Sequence, residues 1–152
     1  MSRQDKDEVT CPKCNTKQTI TYWQSINVDL DPELKKDLFE GNLNKVKCEN
    51  QNCDFSGHMG YPLLYHDMKK RFCVQYYPEE LLSDPKRFAP TILGMTRDGK
   101  TRLPPNMPVD ISKTTAGYIQ EPHIVFDMAE MLRFIVFRDL TWEIHTPKEE
   151  SA

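Results

Sequence analysis

The chain of 152 residues lacks any long hydrophobic run and any excess of positive charge. A membrane-spanning helix needs about 20 consecutive apolar residues, and no stretch approaches that length. The formal net charge is −3 and the pI is ≈ 5.8. General nucleic-acid-binding proteins usually carry an excess of basic residues. The composition therefore predicts no membrane association and argues against a general nucleic-acid binder.

The first ten residues, MSRQDKDEVT, contain no apolar stretch of the kind that secretory signal peptides have. This predicts a cytoplasmic protein, in which thiols stay reduced rather than forming disulfides. Glycine is scarce, with six residues against eleven prolines, which indicates many loops of fixed conformation. The length suits one domain, or one domain with an extension.

Signatures of catalysis are also missing: the sequence has no nucleophile elbow, no phosphate-binding loop and no HExxH motif. The best acid–base pair is His66 and Asp67, with His58 or His123 as a third group. Adjacent residues of a strand point to opposite faces, so His66 and Asp67 are not expected to meet. An enzyme is therefore the weakest of three functional hypotheses.

Cysteine, in contrast, is arranged in two close pairs. Two residues separate Cys11 from Cys14, four separate Cys48 from Cys53, and thirty-three lie between the pairs. Each pair can point two sulfurs at one centre, and two pairs supply the four ligands of a tetrahedral metal. The alternatives are two disulfides or four unrelated buried thiols. The N-terminus argues against the first and the regular pairing against the second.

Zinc is the preferred metal for such a set of thiols. Iron in a rubredoxin-like site is the alternative, disfavoured because that site uses two tight knuckles of equal length. Four thiolates leave no open position for water, so the predicted site stabilises structure and does not activate a nucleophile. The fifth cysteine, Cys73, alternates with Phe72 and Val74, which indicates a small core residue rather than a fifth ligand.

The first half of the chain gives several local signals for secondary structure. Residues 17–28 are rich in Thr, Ile, Tyr, Trp and Val and predict a strand. Asp31 as N-cap and Pro32 at the first helical position predict a helix over residues 32–40, which Gly41 ends. Further elements are predicted as a strand at residues 55–59, a hairpin of residues 61–66 and 71–77, and one helical turn at residues 78–82.

The second half combines a hairpin, a proline-rich stretch and a helix. Asp98-Gly99 favours a type I′ turn that joins residues 92–97 to residues 100–103. Four prolines make residues 104–122 linker-like. Apolar residues at helical spacing predict the longest helix over residues 124–140. Its apolar surface is broad enough to need burial on two sides, against the domain or a partner. Packing on the chain's own sheet is favoured over a dimer interface.

Several segments together resemble the CpXC protein family of bacteria and archaea. They are CPKC at 11–14 with the β-prone segment after it, DPELKKDLFEGNLNKVKC at 31–48, PLLYHD at 62–67 and VQYYP at 74–78. The likeness is good over residues 9–80 and loose over the helix at 124–140. The family is named for two Cys-Pro-x-Cys motifs, of which Cys11-Pro12-Lys13-Cys14 matches the first.

The second motif departs from that pattern. Cys48 and Cys53 occupy its place, but the proline is absent and the spacing is longer by two residues. His58, five residues beyond Cys53, is the substitute ligand if Cys53 points away. The resemblance implies a zinc-ribbon-like fold and a metal, and it implies no reaction.

The predicted fold class is α+β. We expect a zinc-ribbon-like antiparallel β core, with a short helix inserted between the two cysteine knuckles and a longer C-terminal helix. Residues 9–82 form the expected zinc-ribbon-like domain. Residues 83–146 are expected to form a β-hairpin plus helix packed on that same domain. Residues 1–8 and 147–152 are expected to be flexible tails.

The preferred function is a protein–protein interaction or adaptor module, with a protein partner or a homo-oligomer. The closed metal site, the apolar helix and four tyrosines favour it: Tyr61, Tyr65, Tyr76 and Tyr77. The alternative is a nucleic-acid-binding zinc-ribbon protein of transcription or translation, since basic residues beside aromatics suit single strands. The candidate contacts are Lys69, Lys70, Arg71, Arg97, Lys100 and Arg102.

Overall fold

A computed structural model describes residues 2–87, 117–120 and 122–145. The chain divides into two compact units, Met1–Met68 and Lys69–Ala152. The first unit contains β1 (Arg3–Thr10), β2 (Lys17–Asn27), α1 (Glu33–Phe39), β3 (Lys45–Lys47), β4 (Ser56–His58) and β5 (Leu63–Asp67). The second contains β6 (Phe72–Tyr76), 3-10 helices at Glu79–Ser83 and Gly117–Gln120, β7 (His123–Val125) and α2 (Met128–His145).

The α+β class is confirmed, but the predicted antiparallel core is wrong. In the first unit β1 pairs with β2 antiparallel, and β2 pairs with β5 in parallel, so the sheet is mixed. The parallel pairing places Ile26 beside Tyr65. It arises because the chain leaves β2, passes through α1 and the β3–β4 pair, and returns in the same direction. Such a crossover connection is what parallel neighbours require.

Residues 3–8 do not belong to a flexible tail, which was expected of residues 1–8 from their charge. They contribute to β1, which pairs with β2 from Arg3 and Ser25 at one end to Thr10 and Lys17 at the other. Seven of the eight side chains of β1 are exposed. Charged residues are common on such strands because they discourage pairing with a further chain. The high charge of this segment therefore led to the prediction of a tail where the chain forms a strand.

The strand and helix predicted at the start of the chain are confirmed as β2 and α1. Ile26 of β2 is fully buried, together with Tyr65 and Leu63 of β5, and Leu34 and Leu38 of α1 pack into the same unit.

The predicted N-cap of α1 is wrong, because the N-cap residue is Pro32 and no side chain caps the helix. Asp31 contributes its backbone carbonyl to the start of the helix, where it accepts a hydrogen bond from Leu34 N–H. Gly41 has a φ of +70° one residue beyond the C-cap Glu40, as predicted for the residue that ends a helix.

The start of the C-terminal helix differs from the prediction of residue 124. Residues 123–125 form β7, which pairs in parallel with β6 and places Ile124 beside Gln75. The β-branched side chains of Ile124 and Val125 suit a strand. The helix begins after Asp127, whose carboxylate accepts a hydrogen bond of 2.9 Å from Glu130 N–H.

The second unit packs one side of α2 and leaves the other exposed. Met131 and Ile135 are fully buried. The ring of Phe134 stacks on His123 with centroids 3.9 Å apart. Four apolar side chains of α2 remain exposed, namely Val136, Phe137, Leu140 and Ile144. Within the described ranges, no helix combines the length and apolar character needed to cross a membrane.

Several other elements lie where the sequence predicts them, and some predictions fall outside the described residues. Strands Ser56–His58, Leu63–Asp67 and Phe72–Tyr76 and the turn Glu79–Ser83 lie where strands and a helical turn were expected. The predicted hairpin at 92–103 and most of the stretch 104–122 lie outside the described residues. The predicted boundary between residues 82 and 83 falls inside the second unit.

Candidate metal centre

The two cysteine pairs lie in two turns of the first unit. The first knuckle (residues 11–14) lies between β1 and β2, and the second knuckle (residues 48–53) lies between β3 and β4. Each turn joins two antiparallel strands. The four sulfurs all lie within 4.8 Å of one another. The fold therefore gathers Cys11, Cys14, Cys48 and Cys53 into one cluster.

The distances between the sulfurs fit a tetrahedral metal. The Sγ atoms of Cys11 and Cys53 are 3.8 Å apart, and those of Cys14 and Cys48 are 3.5 Å apart. A tetrahedron with metal–sulfur bonds of about 2.3 Å has edges of about 3.8 Å. A disulfide would need about 2.05 Å. All five cysteines are free thiols, so the disulfide alternative is wrong.

The backbone of both knuckles is folded around the sulfurs. Asn15 has a φ of 59°, in the left-handed region that asparagine enters more easily than most residues. Its N–H donates to the carbonyl of Cys11 at 2.9 Å, and Cys11 N–H donates to Thr16 O at the same distance. In the second knuckle Cys48 N–H donates to Phe55 O and Cys53 N–H donates to Asn50 O.

Backbone N–H groups also donate to three of the sulfurs. Each donor lies two residues after its cysteine. The pairs are Thr16 to Cys14, Asn50 to Cys48, and Phe55 to Cys53. Hydrogen bonds to a thiolate stabilise its charged form, which is the form that binds metal. The knuckles thus direct donors at the positions where negative charge would gather.

Hydrogen bonds, desolvation and the neighbouring thiols together set how these cysteines ionise. The side-chain and backbone hydrogen bonds of Thr16 lower the pKa of Cys14 to about 6. The N–H of Asn50 lowers the pKa of Cys48. Desolvation and the neighbouring thiols raise it by more, so the resulting pKa is about 12. The pKa of Cys53 is also raised, because desolvation and Cys14 outweigh the Phe55 N–H. A divalent cation would supply the positive charge that lets all four sulfurs ionise together.

Residues 9–144 match the family model of the CpXC protein family. The chain belongs to the CpXC family. The match extends beyond the segments that carry the resemblance in the sequence and includes most of α2. No curated protein and no solved structure matches the chain.

Two side chains of this CpXC protein link the second knuckle to the residues that follow the first, and sequence reasoning missed both. Gln18 is buried on β2 and bonds the backbone on each side of Cys48. The Nδ2 of Asn50 in the second knuckle donates to the hydroxyl oxygen of Thr16 at 3.4 Å. The one available signal for Gln18 was its position two residues before Ile20, on the same face of the strand.

The substitute ligand His58 is not part of the sulfur cluster. It lies on β4, where its Nε2 donates to the carbonyl of Gly41 at 2.7 Å. Cys73 is 3% exposed, and burial raises the pKa of its thiol to about 11. Cys73 is therefore the core residue that its neighbours in sequence indicate.

The candidate nucleic-acid contacts within the described region have partners inside the protein. Lys70 forms an ion pair with Asp139, and its carbonyl accepts from the guanidinium of Arg138. The guanidinium of Arg71 lies 5.9 Å from the ring centre of Tyr118. Lys69 also has a partner. The other three candidates, Arg97, Lys100 and Arg102, lie outside the described residues.

The four tyrosines are less exposed than the sequence suggests. Tyr65 is fully buried. Tyr61 stacks on Tyr22 with ring centres 3.8 Å apart, and its hydroxyl donates to the carboxylate of Asp7. Tyr76 and Tyr77 are half-buried. These rings pack within the protein and do not form an exposed aromatic surface.

The acid–base pair of the enzyme hypothesis, His66 and Asp67, lies on β5, where the two residues differ in burial. Asp67 is 3% exposed, while His66 is half-buried. The alternating burial along β5 agrees with His66 and Asp67 pointing to opposite faces. Burial lowers the pKa of His66, whose Nδ1 lies 3.5 Å from Asn27 Nδ2.

Proposed function

We propose that this CpXC protein binds one Zn²⁺ through Cys11, Cys14, Cys48 and Cys53. The metal would join the turn between β1 and β2 to the turn between β3 and β4, in the manner of a zinc ribbon. The observation that carries this proposal is the cluster of four sulfurs within 4.8 Å, with contacts of 3.5 and 3.8 Å. These contacts lie close to the edge length of a zinc–thiolate tetrahedron, which is about 3.8 Å.

The site would be structural. Four thiolates fill a tetrahedral coordination sphere, so a substrate or a water molecule has no position on the metal. Three of the four cysteines are buried, which agrees with a closed site. The chemistry that Zn²⁺ supplies is therefore a cross-link between two distant segments. Iron would fill the same donor set, and the metal content of the native protein distinguishes the two.

The experiment is elemental analysis of protein purified from its own source without added metal. We expect one zinc per chain. The Cys14→Ser variant should lose that zinc, because serine supplies a weaker donor with a much higher pKa. Protein without metal, or a Cys14→Ser variant with an unchanged zinc content, would contradict the proposal. One iron per chain would support the four-cysteine site and identify its metal as iron instead of zinc.

We further propose that this CpXC protein is a protein–protein interaction module. The exposed apolar side chains of α2 support this role, since Phe137 is 58% exposed and Ile144 is 74% exposed. Contiguous exposed apolar side chains often mark protein interaction sites. Self-association through α2 is the first case to test. A basic surface for nucleic acid receives no comparable support, since Lys70 and Arg71 contact groups of the protein itself.

Light scattering coupled to size-exclusion chromatography tests the interaction. We expect a mass above that of the monomer, and we expect Leu140→Ser to restore the monomer. If wild-type protein is monomeric, affinity capture is repeated with wild-type and Leu140→Ser protein side by side. A captured protein lost with the variant supports a heterologous partner. A monomer whose captured proteins do not respond to the variant contradicts the proposal.

A further inference from the structure

Gln18 is a buried polar residue that holds the backbone on both sides of a candidate metal ligand. Its Nε2 donates to the carbonyl oxygen of Lys47 at 3.0 Å, and its Oε1 accepts from the N–H of Glu49 at 3.0 Å. Cys48 lies between these two residues. Gln18 is only 7% exposed, so water does not readily replace either bond.

The position of Gln18 explains why these two bonds matter for the cluster. β2 begins at Lys17, three residues after the end of the first knuckle, and Gln18 is its second residue. Lys47 is the last residue of β3, so Cys48 lies where the strand pairing with β4 ends. The amide of Gln18 therefore ties the start of the second knuckle to the strand that follows the first.

We propose that Gln18 is the positioning residue of the metal centre. By fixing the two peptide groups that flank Cys48, it orients the Cys48 sulfur toward the sulfurs of the first knuckle. This inference rests on the proposed function, because it assigns to Gln18 the geometry of the site that would bind zinc. Residues that orient metal ligands typically change metal affinity by about 10- to 100-fold when they are replaced.

The two hydrogen bonds of Gln18 to Lys47 and Glu49 require an amide side chain. One end must donate to a carbonyl and the other must accept from an N–H, and glutamine supplies both. Glutamate retains the acceptor for Glu49 N–H but would place a second oxygen against the Lys47 carbonyl. Methionine has a similar length and supplies neither function. Gln18→Met and Gln18→Glu thus remove both bonds or one bond while changing the volume little.

Gln24 provides a matched control on the same strand. Gln24 is a glutamine of β2 that is less buried than Gln18, and its amide donates to Asp5 at 2.9 Å and to the hydroxyl of Tyr22 at 3.4 Å, away from both knuckles. Gln24→Met therefore removes a hydrogen-bonded amide from the same strand without touching the cluster.

The test is metal binding to the full chain with Co²⁺ and Zn²⁺ as probes. Zinc affinity is measured by competition with a chromophoric chelator, and the cobalt spectrum reports the number of thiolates bound. We expect Gln18→Met to weaken zinc binding by about 10- to 100-fold and to reduce the thiolate-to-cobalt absorption. Gln18→Glu should lie between Gln18→Met and wild type, and Gln24→Met should equal wild type.

A purely structural role predicts a different result, in which Gln18→Met lowers the melting temperature but leaves zinc affinity and the cobalt spectrum unchanged. That result overturns the inference. If Gln18→Met does not fold, Gln18→Glu decides by the same criteria.

Alkylation of the metal-free protein separates this inference from the proposed function. Mass spectrometry follows the rate at which each cysteine reacts. We expect Cys48 to react faster relative to Cys11 in Gln18→Met than in wild type or Gln24→Met. If wild-type protein binds no metal, the proposed function fails, and the alkylation rates still decide whether Gln18 holds Cys48. An unchanged alkylation rate of Cys48 then also overturns the inference that Gln18 orients Cys48.

Discussion

The hydroxyl oxygen of Thr16 lies 3.1 Å from the sulfur of Cys14, and the same oxygen accepts a hydrogen bond from Asn50. Thr16 follows the first knuckle and Asn50 belongs to the second. The hydroxyl is thus a polar link between the two turns at the sulfur cluster. Together with the Thr16 N–H, it stabilises the thiolate form of Cys14.

The first prediction concerns the ionisation of Cys14. In metal-free protein its pKa is about 6, against an ordinary value of 9.0. Thr16→Val removes the hydroxyl donor and leaves the backbone donor, so we expect this pKa to rise. The measurement is the pH dependence of Cys14 alkylation, followed by mass spectrometry. Thr19→Val, an exposed threonine of β2, is the control. An unchanged midpoint in Thr16→Val would show that the hydroxyl does not act on the sulfur.

The same shift predicts how Cys14 affects stability. Because its pKa is lower in the folded chain than in the unfolded chain, the thiolate contributes stability above pH 9, the ordinary thiol pKa. That contribution is lost as the pH falls through about 6. Thr16→Val should reduce the change in unfolding free energy between these two pH values. Equal pH profiles for Thr16→Val and Thr19→Val would oppose this account.

The second prediction compares two buried cysteines. Cys48→Ser removes a proposed ligand, whereas Cys73→Ser removes a core thiol that lies outside the cluster. We expect Cys48→Ser to lose zinc and Cys73→Ser to keep it. Zinc binding contributes on the order of 10 kcal/mol in small zinc fingers. Since this chain also has an apolar core, we expect Cys48→Ser to melt at a lower temperature and still fold in part.

Zinc content and melting temperature are measured together for both variants. If both variants keep their zinc, Cys48 is not a ligand. If both lose it, the loss reflects general destabilisation, and the assignment of Cys48 fails.

The third prediction concerns the ion pair between Lys70 and Asp139 in the second unit. Their side chains are 18% and 22% exposed. Asp139→Asn removes the negative charge of residue 139 from beside a largely buried ammonium, so we expect a loss of about 1–3 kcal/mol. The pair of Lys36 and Glu40 on α1 is far more exposed, and Glu40→Gln should cost less than about 1 kcal/mol. Urea denaturation measures both. Equal costs would mean that burial of the first pair contributes nothing.

The fourth prediction concerns the end of α1. Gly41 has a φ of +70°, and a Cβ placed there would meet no atom within 4 Å. Backbone conformation alone therefore disfavours other residues, and Gly41→Ala should destabilise by about 1 kcal/mol. Gly41→Asn should cost less, because asparagine enters the left-handed region more easily. Denaturant unfolding of the two variants tests this order, and alanine equal to glycine would contradict it.

Features set by neighbouring residues could be predicted from the sequence. The spacing of Cys11 and Cys14 indicates a metal knuckle because two ligands on one turn are a local property. Gly41 marks the end of α1 for the same reason. The family resemblance rests on such local segments, and the family match confirms it.

Features that depend on distant partners could not be predicted. The parallel pairing of β2 with β5 depends on how the chain returns after the second knuckle, which no local pattern encodes. β1 was missed because its strand is formed by exposed charged residues whose pairing depends on Lys17–Asn27.

Gln18 illustrates the same limit within the site. A glutamine in a strand has no preferred partner in the sequence, and its role becomes visible only when Lys47 and Glu49 are brought beside it. Ligands can therefore be identified from spacing, whereas the residues that orient them require the fold.

The central claim is that one cation is held by four sulfurs from two distant turns. X-ray absorption at the metal edge, measured on native protein of known metal content, tests it most directly. The account predicts one zinc per chain with four sulfur neighbours at about 2.3 Å. A protein without stoichiometric metal, or a zinc whose neighbours include nitrogen or oxygen, would contradict it.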